Sequence, residues 1–248
     1  MILRNKLENH LAEYLETNKF NDYSPNGIQL EGALNINKIA FAVSATRFAI
    51  EKTIEIKAQA LIVHHGWFWK NDPPQITGIL KNKVELLIKN NINLFAYHLP
   101  LDAHQKAGNN YPLLKELKAK NISSFSGIGC IGDLKKPLSH DDYFSWLDKR
   151  FYTKGVHIRP KGKDIVKKVA VVSGRAVEFF KDACSLGADA FVSGEGTEWV
   201  YSLALESGVC FSAMGHYKTE ETGILLLKKH IEKIFSVECE FIEEENPF

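Results

Sequence analysis

The chain has 248 residues, 45% hydrophobic and 25% charged, with a formal net charge of +1. This is the composition of a globular protein with a substantial core, and it excludes collagen-like, low-complexity and highly charged disordered chains. A charge so near zero gives no global attraction to nucleic acid or to an anionic membrane.

The N-terminal stretch Met1-Ile-Leu-Arg-Asn-Lys-Leu-Glu carries charges where a signal peptide would be apolar. From Arg4 to Asn18 the apolar positions Leu7, Leu11, Tyr14 and Leu15 have helical spacing. Asp22 to Gly32 is rich in turn formers. Lys38 to Val43 reads as a buried strand, Phe48 to Lys57 as a helix and Ala60 to Val63 as the next strand. This alternation predicts a parallel sheet. A loop with Pro73-Pro74 follows, then a helix near Lys81 to Lys89 and a strand from Asn93 to Tyr97. Between Asn121 and Gly162 a glycine-rich strand or loop precedes a helix from Asp141 to Phe151. The strand–helix order then resumes: strand Lys167 to Val172, helix Ala176 to Ser185, strand Ala190 to Ser193, helix Trp199 to Glu206 and strand Val209 to Ala213. An amphipathic helix from Thr222 to Phe235 and a last strand from Glu238 to Ile242 end the chain. No run of about 18 apolar residues is long enough to span a bilayer. Cys130, Cys184, Cys210 and Cys239 form no C-x-x-C pair and read as small buried hydrophobes of a reducing compartment, so a cytoplasmic location is expected.

The segment from Lys38 to Gly66 aligns with Lys168 to Gly196 at a constant offset of 130 residues, and His98 to Asp102 with His216 to Glu220 at 118. An α/β fold of two duplicated halves follows, 1–121 and 165–248, with 122–164 as a connecting subdomain. Within the repeat, His64 and His65 fall at a strand's carboxyl end, where open α/β sheets place their ligands. Strand neighbours point to opposite faces, but a turn at Gly66 lets both imidazoles bend toward one centre. His98-x-x-x-Asp102 and His216-x-x-x-Glu220 add imidazole and carboxylate at equivalent places, and Pro100 makes the first of them read as a loop. Imidazole with carboxylate and no thiolate suits a zinc, iron, manganese or nickel site other than a closed structural zinc. Glu195 stands where His65 does in the first copy and reads either as a proton acceptor or as a turn residue. Asn26 and Gln29 read as turn residues, with substrate contact as the alternative. His104 reads as peripheral, and His10, His140, His157 and His230 as surface residues.

Ser24-Pro-Asn-Gly-Ile-Gln-Leu-Glu-Gly32, Val63-His-His-Gly-Trp-Phe-Trp-Lys70, His98-Leu-Pro-Leu-Asp-Ala-His104, Asn109-Asn110 and Gly215-His-Tyr-Lys-Thr-Glu-Glu-Thr-Gly223 together resemble the Nif-three-like family. Its bacterial members carry the label GTP cyclohydrolase 1 type 2 homologue, and the match is to the short, YbgI-type branch over essentially the full chain. The resemblance implies a duplicated α/β fold with a dinuclear metal site between the halves. It also implies a homo-oligomer, a hexameric ring built from dimers. The implied ligands are His64, His65, Asp102, His216 and Glu220, with Asp102 or Glu220 as the bridging carboxylate and His98 near the site. Many family members have a second histidine after the one at 216, where this chain has Tyr217.

Two functions are expected from different classes. The first is a metal-dependent hydrolase with two divalent ions per subunit (zinc, iron or manganese), acting on a small-molecule substrate such as a nucleotide or related heterocycle, with Glu195 or His98 as acid or base. The second is a non-enzymatic assembly that stores or delivers metal or scaffolds a partner.

Overall fold

The computed structural model describes residues 1–162 and 164–248. In chain order the strands are β1 (Ile2–Leu3), β2 (Gly27–Leu30), β3 (Asn35–Ile36), β4 (Lys38–Ser44), β5 (Ala60–His65), β6 (Asn93–Ala96), β7 (Ala119–Phe125), β8 (Gly129–Ser139), β9 (Val156–Ile158), β10 (Ile165–Val171), β11 (Ala190–Ser193), β12 (Cys210–Ala213) and β13 (Glu238–Phe241). The helices are α1 (Arg4–Tyr14), α2 (Arg47–Glu55), α3 (Gly78–Lys89), α4 (Leu99–Ala103), α5 (Asn110–Glu116), α6 (His140–Phe151), α7 (Phe180–Ser185), α8 (Glu198–Ser207) and α9 (His216–Phe235). They form two compact units, residues 1–101 with 223–245 and residues 102–222 with 246–248.

The first unit holds a five-stranded sheet in the order β13-β4-β5-β6-β2, with only β2 antiparallel to its neighbour. Its parallel strands are apolar on both faces, as the unbroken runs Ile39–Val43 and Ala60–Val63 require. Ile39, Phe41, Ile62, Phe95 and Tyr97 pack with Leu7 and Leu11 of α1 and Ile224, Leu227 and Ile231 of α9. The alternate residues Ala40, Ala42, Leu61, Val63 and Leu94 pack with Ala49 and Ile50 of α2 and Val84 and Leu87 of α3. Thr46 starts α2 by accepting a hydrogen bond from the Ala49 amide at 3.0 Å.

The second unit holds a six-stranded sheet, β7-β8-β10-β11-β12-β9. Val169, Val171, Val192 and Cys210 face α5 and α6, whereas Ala170, Val172, Phe191 and Phe211 face α7 and α8. Ser139 caps α6, with Asp141 and Asp142 in its first turn and Lys149 and Arg150 in its last, both favourable to the helix dipole. The segment read as a glycine-rich strand or loop is the hairpin β7–β8.

The repeat is visible in strand register. Ile39 pairs with Ala60 and Phe41 with Ile62, while Val169 pairs with Ala190 and Val171 with Val192, all shifted by 130. The third strands differ by 117, since Asn93 opposes Ala60 and Cys210 opposes Ala190. The ligand-type histidines differ by 118 because Gly215, at φ +91°, adds one residue between β12 and His216. Each third strand carries an antiparallel edge strand, β2 or β9.

Three expectations need correction. Leu99-Pro-Leu-Asp-Ala103 is helical despite Pro100, because proline in a first turn forfeits only an amide that has no intrahelical partner. The C-terminal helix begins at His216, not Thr222. His140 is buried at 3% exposure, 3.2 Å from the Cys210 sulfur, and His10 and His230 meet through their Nε2 atoms at 2.9 Å, so these three are not ordinary surface residues. All four cysteines are free thiols. No helix among the described residues is long and apolar enough to cross a membrane.

Phe180, Phe191 and Phe211 form a ring cluster with centroids 5.6 to 5.9 Å apart, all fully buried. Phe191→Ala is expected to destabilise the second unit by about 4 kcal/mol, read as lost amide-exchange protection in β10, β11 and β12.

Candidate metal-binding sites

In the first unit the carboxyl ends of β5 and β6 bring three imidazoles together. His64, His65 and His98 each place one ligand atom within 4.8 Å of the other two. Ring centroids of His64 and His65 are 4.5 Å apart, and that of His98 is 5.1 and 5.8 Å from them. Both adjacent histidines therefore reach one place, at the end of a strand where the pleat no longer separates them. His64 is fully buried and His98 is 7% exposed.

Each ring is held by its Nδ1. His64 Nδ1 donates to the Tyr97 carbonyl at 2.9 Å, His65 Nδ1 meets the Ser44 hydroxyl at 3.1 Å, and His98 Nδ1 donates to Asp22 Oδ1 at 2.9 Å. A carbonyl or carboxylate only accepts, so the proton of a neutral His64 or His98 ring lies on Nδ1 and Nε2 carries the lone pair. This outer hydrogen bond is the one that metal-binding histidines use to set tautomer and ring plane. Asp22 is itself clamped, its Oδ2 accepting from the Leu99 amide and the Asn26 side chain, both at 2.9 Å. Burial raises the Asp22 pKa, but the bonds from His98, Asn26 and Leu99 outweigh it and bring it down to about 2.

The turn motif around Asn26 and Gln29 is structural. Asn26 Oδ1 accepts from the His98 amide at 2.7 Å, Gln29 Oε1 accepts from the Trp67 amide at 2.9 Å, and the Ser24 hydroxyl donates to the Phe68 carbonyl at 3.0 Å.

In the second unit the donors come from helices as well as strand ends. His216 opens α9 and Glu220 stands one turn on, with His216 Nε2 3.1 Å from Glu220 Oε1. Glu195, after β11, holds His216 Nδ1 at 2.5 Å. Asp102, on α4, offers a carboxylate oxygen within 4.8 Å of one from Glu220. Its Oδ1 accepts from Asn109 Nδ2 and from the Ser173 hydroxyl, both at 2.8 Å, and Asn110 Oδ1 in turn receives the Ser173 amide. Asp102 and Glu220 are 4% and 3% exposed. Buried carboxylates beside an imidazole are a donor set for a hard or borderline divalent cation.

Gly174 makes this arrangement possible. It has φ +64°, and a Cβ on it would overlap Glu220 Oε1 and lie 3.1 Å from His216 Nε2. A Cβ on Gly194 would lie 2.7 Å from the His216 Cα. Sequence reasoning missed Asp22, Ser44, Tyr97, Ser173 and Gly174. Gly174 could have been singled out as the repeat partner of Ser44, one strand end with and without a side chain.

Burial alone would lower the His216 pKa, but Glu220 and then Glu195 overcome that and raise it to about 9. The imidazolium thus stabilises the metal-free fold fully below pH 6.5, and this contribution is lost as pH rises through 9. In metal-free protein the His216 ring should titrate near 9 by NMR, and in Glu195→Gln at lower pH; an unchanged midpoint would contradict the ion pair. Asp22→Ala removes four accepted hydrogen bonds and should cost about 3 kcal/mol in urea unfolding.

The pattern of the Duf34/NIF3 (NGG1p interacting factor 3) family matches residues 2–247. The chain is 35% identical to the GTP cyclohydrolase 1 type 2 homolog of Haemophilus influenzae, over 98% of each chain. It is 37% identical to that of Neisseria meningitidis serogroup A, over 100% of each. Among solved structures, protein ybgI, described as of unknown function, superposes with a TM-score of 0.95 at 34% identity and full coverage of both chains. TTHA1606 from Thermus thermophilus gives 0.91 at 32%, again with full coverage. HcgD from Methanocaldococcus jannaschii, at 22% identity and 0.88, shares the fold. With this match over nearly its whole length, the chain belongs to the Duf34/NIF3 family.

Proposed function

We propose that the chain is a metal-dependent hydrolase holding two divalent cations on His64, His65, Asp102, His216 and Glu220. The observation that carries this reading is the Nδ1 tether at the three imidazoles of that set: His64, His65 and His216 are each held at this ring nitrogen, at 2.9, 3.1 and 2.5 Å. Such a tether fixes the ring plane and tautomer in the way that metal-binding histidines require. The donors are imidazole and carboxylate without thiolate, which fits zinc, iron or manganese. A divalent cation bound there would supply Lewis acidity, polarising the substrate and making water acidic near neutral pH.

The chain's own residues have separate tasks in this reading. Asp102 and Glu220 bring negative charge to the cations, and Asn109 and Ser173 aim the first of these carboxylates. Glu195 positions His216. His98, backed by the ionised Asp22, is the acid or base, since the hydrogen bond to Asp22 fixes its tautomer and aims its Nε2. The substrate class, a nucleotide or related heterocycle, rests on the name that the relatives in Haemophilus influenzae and Neisseria meningitidis carry. We also propose that the cytoplasmic protein assembles as a hexameric ring, as its resemblance to the family suggests.

Elemental analysis of purified protein should give two equivalents of metal per chain, with His64→Ala and Glu220→Ala each losing metal and more than about 100-fold in turnover of a nucleotide panel. Full turnover after complete chelation would refute hydrolysis by metal. Retained metal with no turnover of any nucleotide would favour the storage or delivery role. Gly174→Ala should lose metal although no ligand is changed, because its Cβ displaces Glu220. His98→Gln should keep its metal and lose kcat. Light scattering should return the mass of six chains; a monomer would end the ring proposal.

A further inference from the structure

The second unit carries a pocket of about 450 Å³, within the range of small-molecule sites. Its floor is apolar: Leu117 after α5, Leu138 in β8 and Trp146 on α6 all belong to, or pack against, that unit's core. Its rim is cationic: Lys118, Lys135 and Lys136 are exposed. No ion pair among the described residues involves these three, whereas Lys19, Lys38, Lys52, Lys81, Lys89 and Lys228 all pair with glutamates. The one acid in the wall, Glu116, is taken on both oxygens by Arg150. Three ammonium groups are therefore concentrated around an apolar opening, with no carboxylate left to balance them. In a chain whose net charge is only +1, this is a local excess.

A ligand that complements such a pocket needs an apolar, flat body for Trp146, Leu117 and Leu138 and a compact anionic group for the lysines. An indole face favours an aromatic ring, and a phosphate of charge near −2 matches three ammoniums better than a single carboxylate does. We infer that this pocket is a second ligand site, separate from the metal-binding residues, that takes an aromatic monophosphate of mononucleotide size. It does not depend on the hydrolase reading, because none of its seven wall residues is a candidate metal ligand.

Isothermal titration of the full chain with AMP, adenosine and inorganic phosphate tests it. AMP should bind, and adenosine and phosphate should each bind at least about tenfold more weakly, since each keeps only half of the complementarity. The triple variant Lys118→Ala, Lys135→Ala, Lys136→Ala alters exposed side chains only, so it should fold normally and lose AMP affinity at least about tenfold with metal content unchanged. Trp146→Leu should weaken AMP and adenosine and leave phosphate unchanged. Because Trp146 is half-buried, the lysine variant remains the decisive one. AMP binding that persists in the lysine variant would place the nucleotide elsewhere, on the metal for example, and overturn the inference. Equal affinity for inorganic phosphate would also overturn it by showing a simple anion site, and so would an absence of AMP binding at millimolar concentration.

Discussion

An imidazole has two nitrogens, and whichever one a protein ties down decides what the other can do. In this chain the tie is at Nδ1 for His64, His65, His98 and His216, through four different partners: a carbonyl, a hydroxyl and two carboxylates. Three of the partners, Ser44, Tyr97 and Glu195, stand where a strand ends or just beyond, so those ring positions depend on sheet register. A slip of one residue would exchange the faces of β5 and carry His64 away from the Tyr97 carbonyl. Register is secured in turn by two apolar faces per sheet, each covered by helices, so that no shifted pairing would keep its side chains buried.

The two units gather the same residue types by different means. At the strand ends of the first, Ser44, His64 and His65 supply the tether and the rings. At the places 130 residues on stand Gly174, Gly194 and Glu195. The two glycines are required by space, because the first turn of α9 comes against them and a methyl group on either would meet Glu220 or the His216 backbone. The second unit therefore takes its imidazole and one carboxylate from a helix start, and the strand end keeps only the orienting Glu195. One inserted residue, Gly215 with its positive φ, lets the chain turn from β12 into that helix.

Charge is distributed on the same principle. Asp22 is buried, yet it stays ionised because four donors converge on it, and His216 is held as a cation by two carboxylates. Both groups are kept in states that isolated burial would forbid. The lysines beside Trp146 are the opposite case: exposed, uncompensated and gathered at an apolar opening.

Much of this was legible in the chain itself. Unbroken apolar runs such as Ile39–Val43 dictate strands buried on both faces, and their alternation with helical spacing dictates a parallel sheet, because both follow from local periodicity. The offset of 130 was written in the residues and reappears as strand register. The ligand-type residues were legible too, since few residue types bind metal and they recur at strand ends. The partners of those residues were not. Asp22 meets His98 across 76 residues, Ser173 meets Asp102 across 71, and Gly174 is needed only because Glu220 arrives from 46 residues further on. Ser44, Ser173 and Gly174 are not ligand types, and only the repeat offset, which pairs Ser44 with Gly174, marks any of them. Pro100 misled for a related reason: its cost depends on which turn of a helix it occupies, and tertiary packing sets where α4 begins. Local periodicity determined the elements and the ligand-type residues, whereas the hydrogen bonds that orient those side chains join residues distant in sequence, and only the folded chain brings them together.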